Sequence, residues 1–136
     1  MTKSATVLSP TEVLADHISQ NGITYGPEKL EIFRQACRLR GVPALDDVEA
    51  SNASIAQVKI FDPCGSWTWY IIAWDPKSDV CFGFVDGAFP EYGDFWLGEL
   101  AEIKGPLKIG LEVDTFWTPR PCKEIADKAY AKANYE

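Results

Sequence analysis

Along the first forty residues apolar positions recur every three or four residues, whereas from Val58 onward they recur every second residue, so the chain divides into a helical part and a stranded part. The helical part opens at Ser9-Pro10-Thr11-Glu12, where Ser9 caps, Pro10 suits the first helical position and Glu12 completes a capping box. This predicts a helix to about Gln20, with Val13, Leu14, His17 and Ile18 as a narrow apolar stripe and Asn21-Gly22 as its stop. A second helix is expected from Pro27 to about Arg40, where Leu30, Phe33, Ala36 and Cys37 share a face and Tyr25 can staple onto Leu30. Glu28 and Glu31 sit in its first turn and Arg34, Arg38 and Arg40 toward its C-terminus, matching the helix dipole, and Gly41 ends it. Residues 9–41 therefore read as an N-terminal helical hairpin behind a disordered lead over 1–8.

Residues 42–56 are small and acidic and read as a connection. Val58 and Ile60 then share a face, a turn follows at Asp62-Pro63-Cys64-Gly65-Ser66, and the next strand holds the densest aromatic run, Trp67 to Trp74. Trp67, Trp69, Ile71 and Ala73 are expected on one face of it, and Thr68, Tyr70, Ile72 and Trp74 on the other. Both faces are apolar, so the strand is expected to be central and covered on both sides. Val80 to Val85 returns as a third strand, with Gly83 marking a bulge or a close approach, and Tyr92 to Trp96 makes a fourth. A short helix over Leu97 to Lys104 and a fifth strand over Leu111 to Thr118 follow. The last helix, about Lys123 to Ala133, turns Ile125, Ala129 and Tyr130 inward and pairs Glu124 with Lys128. The fold class is α+β: an antiparallel sheet of four to five strands over 57–121, packed by the N-terminal helical hairpin and a C-terminal helix over 122–133, in one domain over 9–136.

Composition narrows the chemistry. With 136 residues, 46% of them hydrophobic, the chain can bury a core without metal or disulfide staples. It has no apolar run approaching the roughly 20 residues of a membrane span and no signal-peptide core at Met1 to Leu8, so the expectation is a cytoplasmic protein without membrane contact. Cys37, Cys64, Cys81 and Cys122 form no CxxC pair, and His17 is the single histidine, so no zinc site is indicated and the thiols read as free and mostly buried. No P-loop, dinucleotide fingerprint or nucleophile elbow is present. No catalytic residue, metal ligand or cofactor is assigned, and the Asn52-Ala53-Ser54 sequon is idle in a cytosolic setting.

The net charge of −7 is uneven. Residues 1–40 carry five basic and four acidic side chains, residues 41–136 eight and sixteen. Such a surface repels nucleic acid and attracts basic partners. Asp75, Asp79, Asp86, Glu91 and Asp94 fall at turns around the strands and, with Tyr92, are the expected partner-binding residues. A pair among these acids or Glu99 could instead serve as acid and base or hold a divalent cation, an enzyme or metal-site alternative. The second alternative is a DNA-binding adaptor, in which the helical hairpin turns Lys29, Arg34, Arg38 and Arg40 to phosphate, with Arg34 and Arg38 as the key contacts.

One resemblance is specific. Lys59-Ile60-Phe61, Trp67-Thr68-Trp69-Tyr70, Trp74-Asp75-Pro76, Cys81-Phe82-Gly83-Phe84-Val85, Glu91-Tyr92-Gly93, Leu97-Gly98-Glu99-Leu100, Gly105-Pro106, Gly110-Leu111-Glu112, Asp114 and Phe116-Trp117-Thr118-Pro119 fall in the order and spacing of the family of unknown function DUF2958. The chain resembles that family over about residues 57–125. It departs from it at Val113 and Phe116, where a basic residue and a histidine are usual, and at Gly98, the usual place of a capping serine. The resemblance implies a protein of phages, plasmids and integrative elements, with no reaction to carry over. The expected function is a non-enzymatic acidic interaction protein of a mobile genetic element that binds a host protein with a basic surface. In its sharpest form this is a counter-defence inhibitor of anti-CRISPR or anti-restriction type, its acidic face filling a positively charged nucleic-acid channel. Direct nucleic-acid binding is not expected, and the apolar face of the hairpin would also serve a homodimer.

Overall fold

The computed structural model describes residues 24–45 and 54–135. The lead over 1–8, the helix expected over 9–20 with His17, and Asn52 of the sequon lie outside the described residues, so of the expected hairpin only the second helix is described. That helix, α1 (Pro27–Leu39), starts after Gly26, whose φ of 78° suits glycine, with Pro27 in the first turn. It stops in a Schellman motif: Gly41, at φ 64°, donates to Arg38 O at 3.1 Å, and Val42 donates to Cys37 O at 3.0 Å. Phe33, Ala36 and Cys37 are fully buried along one stripe, with Leu30 partly buried beside them.

The strands are β1 (Ile55–Ala56), β2 (Val58–Phe61), β3 (Thr68–Trp74), β4 (Val80–Asp86), β5 (Glu91–Trp96), β6 (Glu112–Val113) and β7 (Arg120–Pro121), with α2 (Leu97–Glu102) after β5 and α3 (Cys122–Tyr135) after β7. Five of them form one antiparallel sheet in the order β5-β4-β3-β2-β6, with the aromatic strand β3 at its centre. One face carries Val58, Ile60, Trp69, Ile71 and Cys81 against α1 and α2; the other carries Tyr70, Ile72 and Phe84 against α3 and Trp117. Burying such side chains on both faces stabilises the fold by about 1.5–3 kcal/mol each, which is why a strand apolar on both sides takes the middle.

The expected alternation fails at one place. Ile71 pairs with Gly83 but Ala73 with Phe82, so Ile72 is an extra residue in a bulge, and the strand rejoins its ladder one residue out of phase. Trp74 consequently lies on the α1 face with Trp69 and Ile71, not with Tyr70 and Ile72 as simple alternation predicts. Gly83 explains the close approach: a Cβ there would stand 1.8 Å from Tyr70 O.

The chain ends of the sheet also differ from expectation. The fifth strand is only Glu112–Val113, because Asp114 accepts from the backbone N–H of Phe116 at 3.0 Å and turns the chain away from the sheet. Trp117 then drops beneath β3 and donates its indole N–H to Ala56 O at 3.0 Å. β1 and β7 form a separate two-stranded ladder that sequence periodicity did not indicate, and α3 follows at once. On α3 the ion pair joins Lys123 to Asp127 at 2.6 Å rather than the expected Glu124 to Lys128.

Candidate interaction surface

The six expected partner-binding residues do not share one face. Asp75 and Asp79 border the β3–β4 turn, whereas Asp86 and Glu91 flank the β4–β5 connection at the opposite end of strands about 20 Å long. Asp75 is consumed by its own turn: it accepts from the Lys77 N–H at 3.1 Å and the Ser78 hydroxyl at 2.7 Å, and these bonds hold its carboxyl below the usual range.

Asp79 is withdrawn from the surface altogether. Only 7% exposed, it accepts from Arg34 Nη2 at 2.6 Å, from Arg34 Nε at 3.1 Å and from Trp74 Nε1 at 3.1 Å, while its carbonyl receives the Leu97 N–H at 3.0 Å. The bulge at Ile72 brings Trp74 to this side, so the misplaced tryptophan and the buried aspartate have one cause. Arg34, the first residue of the DNA-binding alternative, is thus spent on the acid assigned to the rival reading. The other cations of that alternative are committed too. Arg38 pairs with Glu31, Arg40 donates to Gln57 O at 3.0 Å and Trp117 O at 2.6 Å, and Lys29 is fully buried, its ammonium pKa pushed down by desolvation against the pull of Glu112. Arg34 and Arg40 thus tie α1 to the rest of the fold, while Arg38 pairs with Glu31 on the helix's own exposed surface.

Among the described residues no group of three His, Cys, Asp or Glu side chains is arranged to hold a metal ion.

Of the expected partner-binding residues, the exposed ones, Glu91, Tyr92 and Asp94, are collected on β5. It is one of the sheet's two edge strands, the short β6 being the other, and among the described residues no strand pairs with its outer side. Phe95 points inward, 7% exposed, into the α1-side core and fixes the phase of the strand. Tyr92, Asp94 and Trp96, at i, i+2 and i+4, then line the opposite face, while Glu91 shares the phase of Phe95 and is exposed at the strand's start. Tyr92 and Trp96 are 36% and 46% exposed. Tyr92 is braced by Phe82 and Phe84, at ring separations of 6.2 and 5.1 Å, and by a hydrogen bond with Cys122; burial and that contact push its phenol up to about 12. The result is a stiff aromatic, a carboxylate and a second aromatic along an unpaired backbone edge. Trp96 was absent from the expected set, because the two-residue period that places it beside Tyr92 and Asp94 says nothing of which strand ends the sheet.

No curated protein and no solved structure is significantly similar to this chain. A family model covers residues 35–134, and so reaches beyond residues 57–125 to take in the C-terminal end of α1 and nearly all of α3. The chain belongs to the family described as protein of unknown function (DUF2958).

Proposed function

We propose that the chain is a non-enzymatic interaction protein of a mobile genetic element, which docks through β5 onto an extended basic segment of a host protein. The observation that supports this reading is the open β5 edge with Tyr92, Asp94 and Trp96 on one side and Glu91 at its start. An added strand would take its affinity from main-chain hydrogen bonds and its specificity from alternate side chains. Opposite Tyr92, Asp94 and Trp96 those side chains are best Lys or Arg, which gain a carboxylate and two aromatic faces together. A second copy fits less well, since pairing like edges would bring Glu91 and Asp94 toward their own counterparts. Lys- and Arg-rich segments line nucleic-acid channels, and the net charge of −7 speeds approach to such a channel. The reading therefore includes counter-defence, with Asp86, Glu91 and Asp94 as the acidic contacts and a nucleic-acid-handling complex as the partner.

The test is a photo-crosslinking amino acid in place of Tyr92, introduced in the full chain inside the host. The expected product is a crosslink to a Lys- or Arg-rich segment of a nucleic-acid-handling protein, weakened by Asp94→Lys and by added salt. Crosslinks to a second copy of the chain, or to an acidic segment, or crosslinks indifferent to Asp94→Lys, would overturn the reading.

A further inference from the structure

On the α3 side of the sheet, beside the β4–β5 connection, lies a concave feature that shares only Asp86 with the proposed interaction surface. Two adjoining cavities of 270 and 440 Å³ share Asp86, Ala129 and Lys132 and so form one trough between α3 and the ends of β3 and β4. Tyr70 and Trp117 line the smaller part, with Arg120, Lys128 and Lys132 around it. Arg120 is held there by two contacts: its guanidinium lies 4.2 Å from the Trp117 ring centroid, and its Nε donates to Thr118 O at 3.3 Å. Its terminal nitrogens, and the ammonium groups of Lys128 and Lys132, have no ion-pair partner among the described residues. Three cations against Asp86 make this trough locally positive in a chain whose net charge is −7.

We propose that this trough binds a nucleoside monophosphate, with the phosphate held by Arg120, Lys128 and Lys132, a sugar hydroxyl donated to Asp86, and the base against Phe89 and Pro90 in the larger cavity. Each part of the ligand answers a part of the trough. Converging Arg and Lys donors suit a dianionic phosphate, and Arg120 is pre-oriented by its stacking on Trp117. A carboxylate among them disfavours a plain polyanion and selects a ligand that also carries hydroxyl or N–H donors. Phe89, 83% exposed, offers a ring face to a base, and the larger cavity, at 440 Å³, lies in the range of small-ligand sites. The Tyr70 phenol, pushed up to about 12 mainly by burial, stays a hydrogen-bond donor at neutral pH.

The experiment is calorimetric titration of the full chain with the four nucleoside 5′-monophosphates, with inorganic phosphate, the nucleosides and a short single-stranded oligonucleotide as separate arms. At least one monophosphate should bind with one-to-one stoichiometry and a Kd on the order of 10–500 μM, with phosphate alone and nucleoside alone each roughly tenfold weaker or more. Lys128→Gln with Lys132→Gln, both at exposed positions, should weaken binding about tenfold or more at unchanged Tm, and Asp86→Asn should weaken the nucleotide but not phosphate. Absence of any binding up to about 5 mM, phosphate binding as tightly as the nucleotides, tighter binding of the oligonucleotide than of its monomers, or indifference to the lysine substitutions would each overturn the proposal.

Discussion

Arg34 and Asp79, 45 positions apart, meet side-on: Arg34 Nη2 and Nε reach Asp79 Oδ2 at 2.6 and 3.1 Å while Trp74 Nε1 holds Oδ1 at 3.1 Å. One aspartate thereby ties α1 and the end of β3 through its carboxylate and the start of α2 through its backbone carbonyl. Asp79 also adopts a φ of 62°, a conformation Asn tolerates as well as Asp. Asp79→Asn should therefore keep the turn and cost about 1–2 kcal/mol, between the roughly 0–1 kcal/mol of an exposed pair and the roughly 3–5 kcal/mol of a fully buried one, because Arg34 remains partly exposed. Arg34→Gln should cost a similar amount. In a double-mutant cycle by urea denaturation the two should couple by about 1 kcal/mol, and additive losses would show the pair to be incidental.

Gly83 and Gly93 face each other across β4 and β5, yet their surroundings are opposite. A Cβ on Gly83 meets Tyr70 O at 1.8 Å, and one on Gly93 meets nothing within 4 Å. Gly83→Ala should destabilise by roughly 3 kcal/mol or more, since backbone must move, whereas Gly93→Ala should stay within about 0.5–1 kcal/mol of the parent. Thermal melts of the two variants side by side check this.

At alkaline pH the phenols of Tyr70 and Tyr92 contribute to a loss of stability. Both are raised from 10.0 to about 12, Tyr70 by burial first and then by Asp86, Tyr92 by burial first and then by Cys122. Below pH 10 both phenols keep their protons in the folded and the unfolded chain, so their contribution is fully present. Between pH 10 and 12 the unfolded chain loses its phenolic protons first, so stability falls, by up to about 3 kcal/mol from Tyr70 alone. A series of denaturation curves from pH 8 to 12 should show that decline. Tyr70→Phe, which removes the titrating group, should flatten it.

Much of the fold was legible because it is written in local pattern. Gly26-Pro27 and Gly41 bracket α1, and the doubly apolar run from Trp69 to Trp74 marks the central strand. The face of Trp74 was not legible, since a bulge at Ile72 depends on the opposing Gly83 and leaves no period of its own. Nor was the fate of Asp79: at the level of composition an acid in a turn and a base on a helix read as two solvated charges, and only the packing of α1 across β3 joins them. The candidate surface was half legible. Tyr92, Asp94 and Glu91 were named for their chemistry, but their importance rests on β5 being an edge of the sheet, a fact of strand order that no residue on β5 encodes.

The central claim, that β5 is where a partner adds a strand, is tested most directly by amide hydrogen exchange of the chain with and without the crosslinked host protein. An added strand pairs the outward-facing amides of β5, so alternate residues across Glu91–Trp96 should slow by roughly tenfold or more, with β2 and β3 unchanged. Protection confined to α1 or to the β3–β4 turn, with β5 exchanging at its free rate, would contradict it.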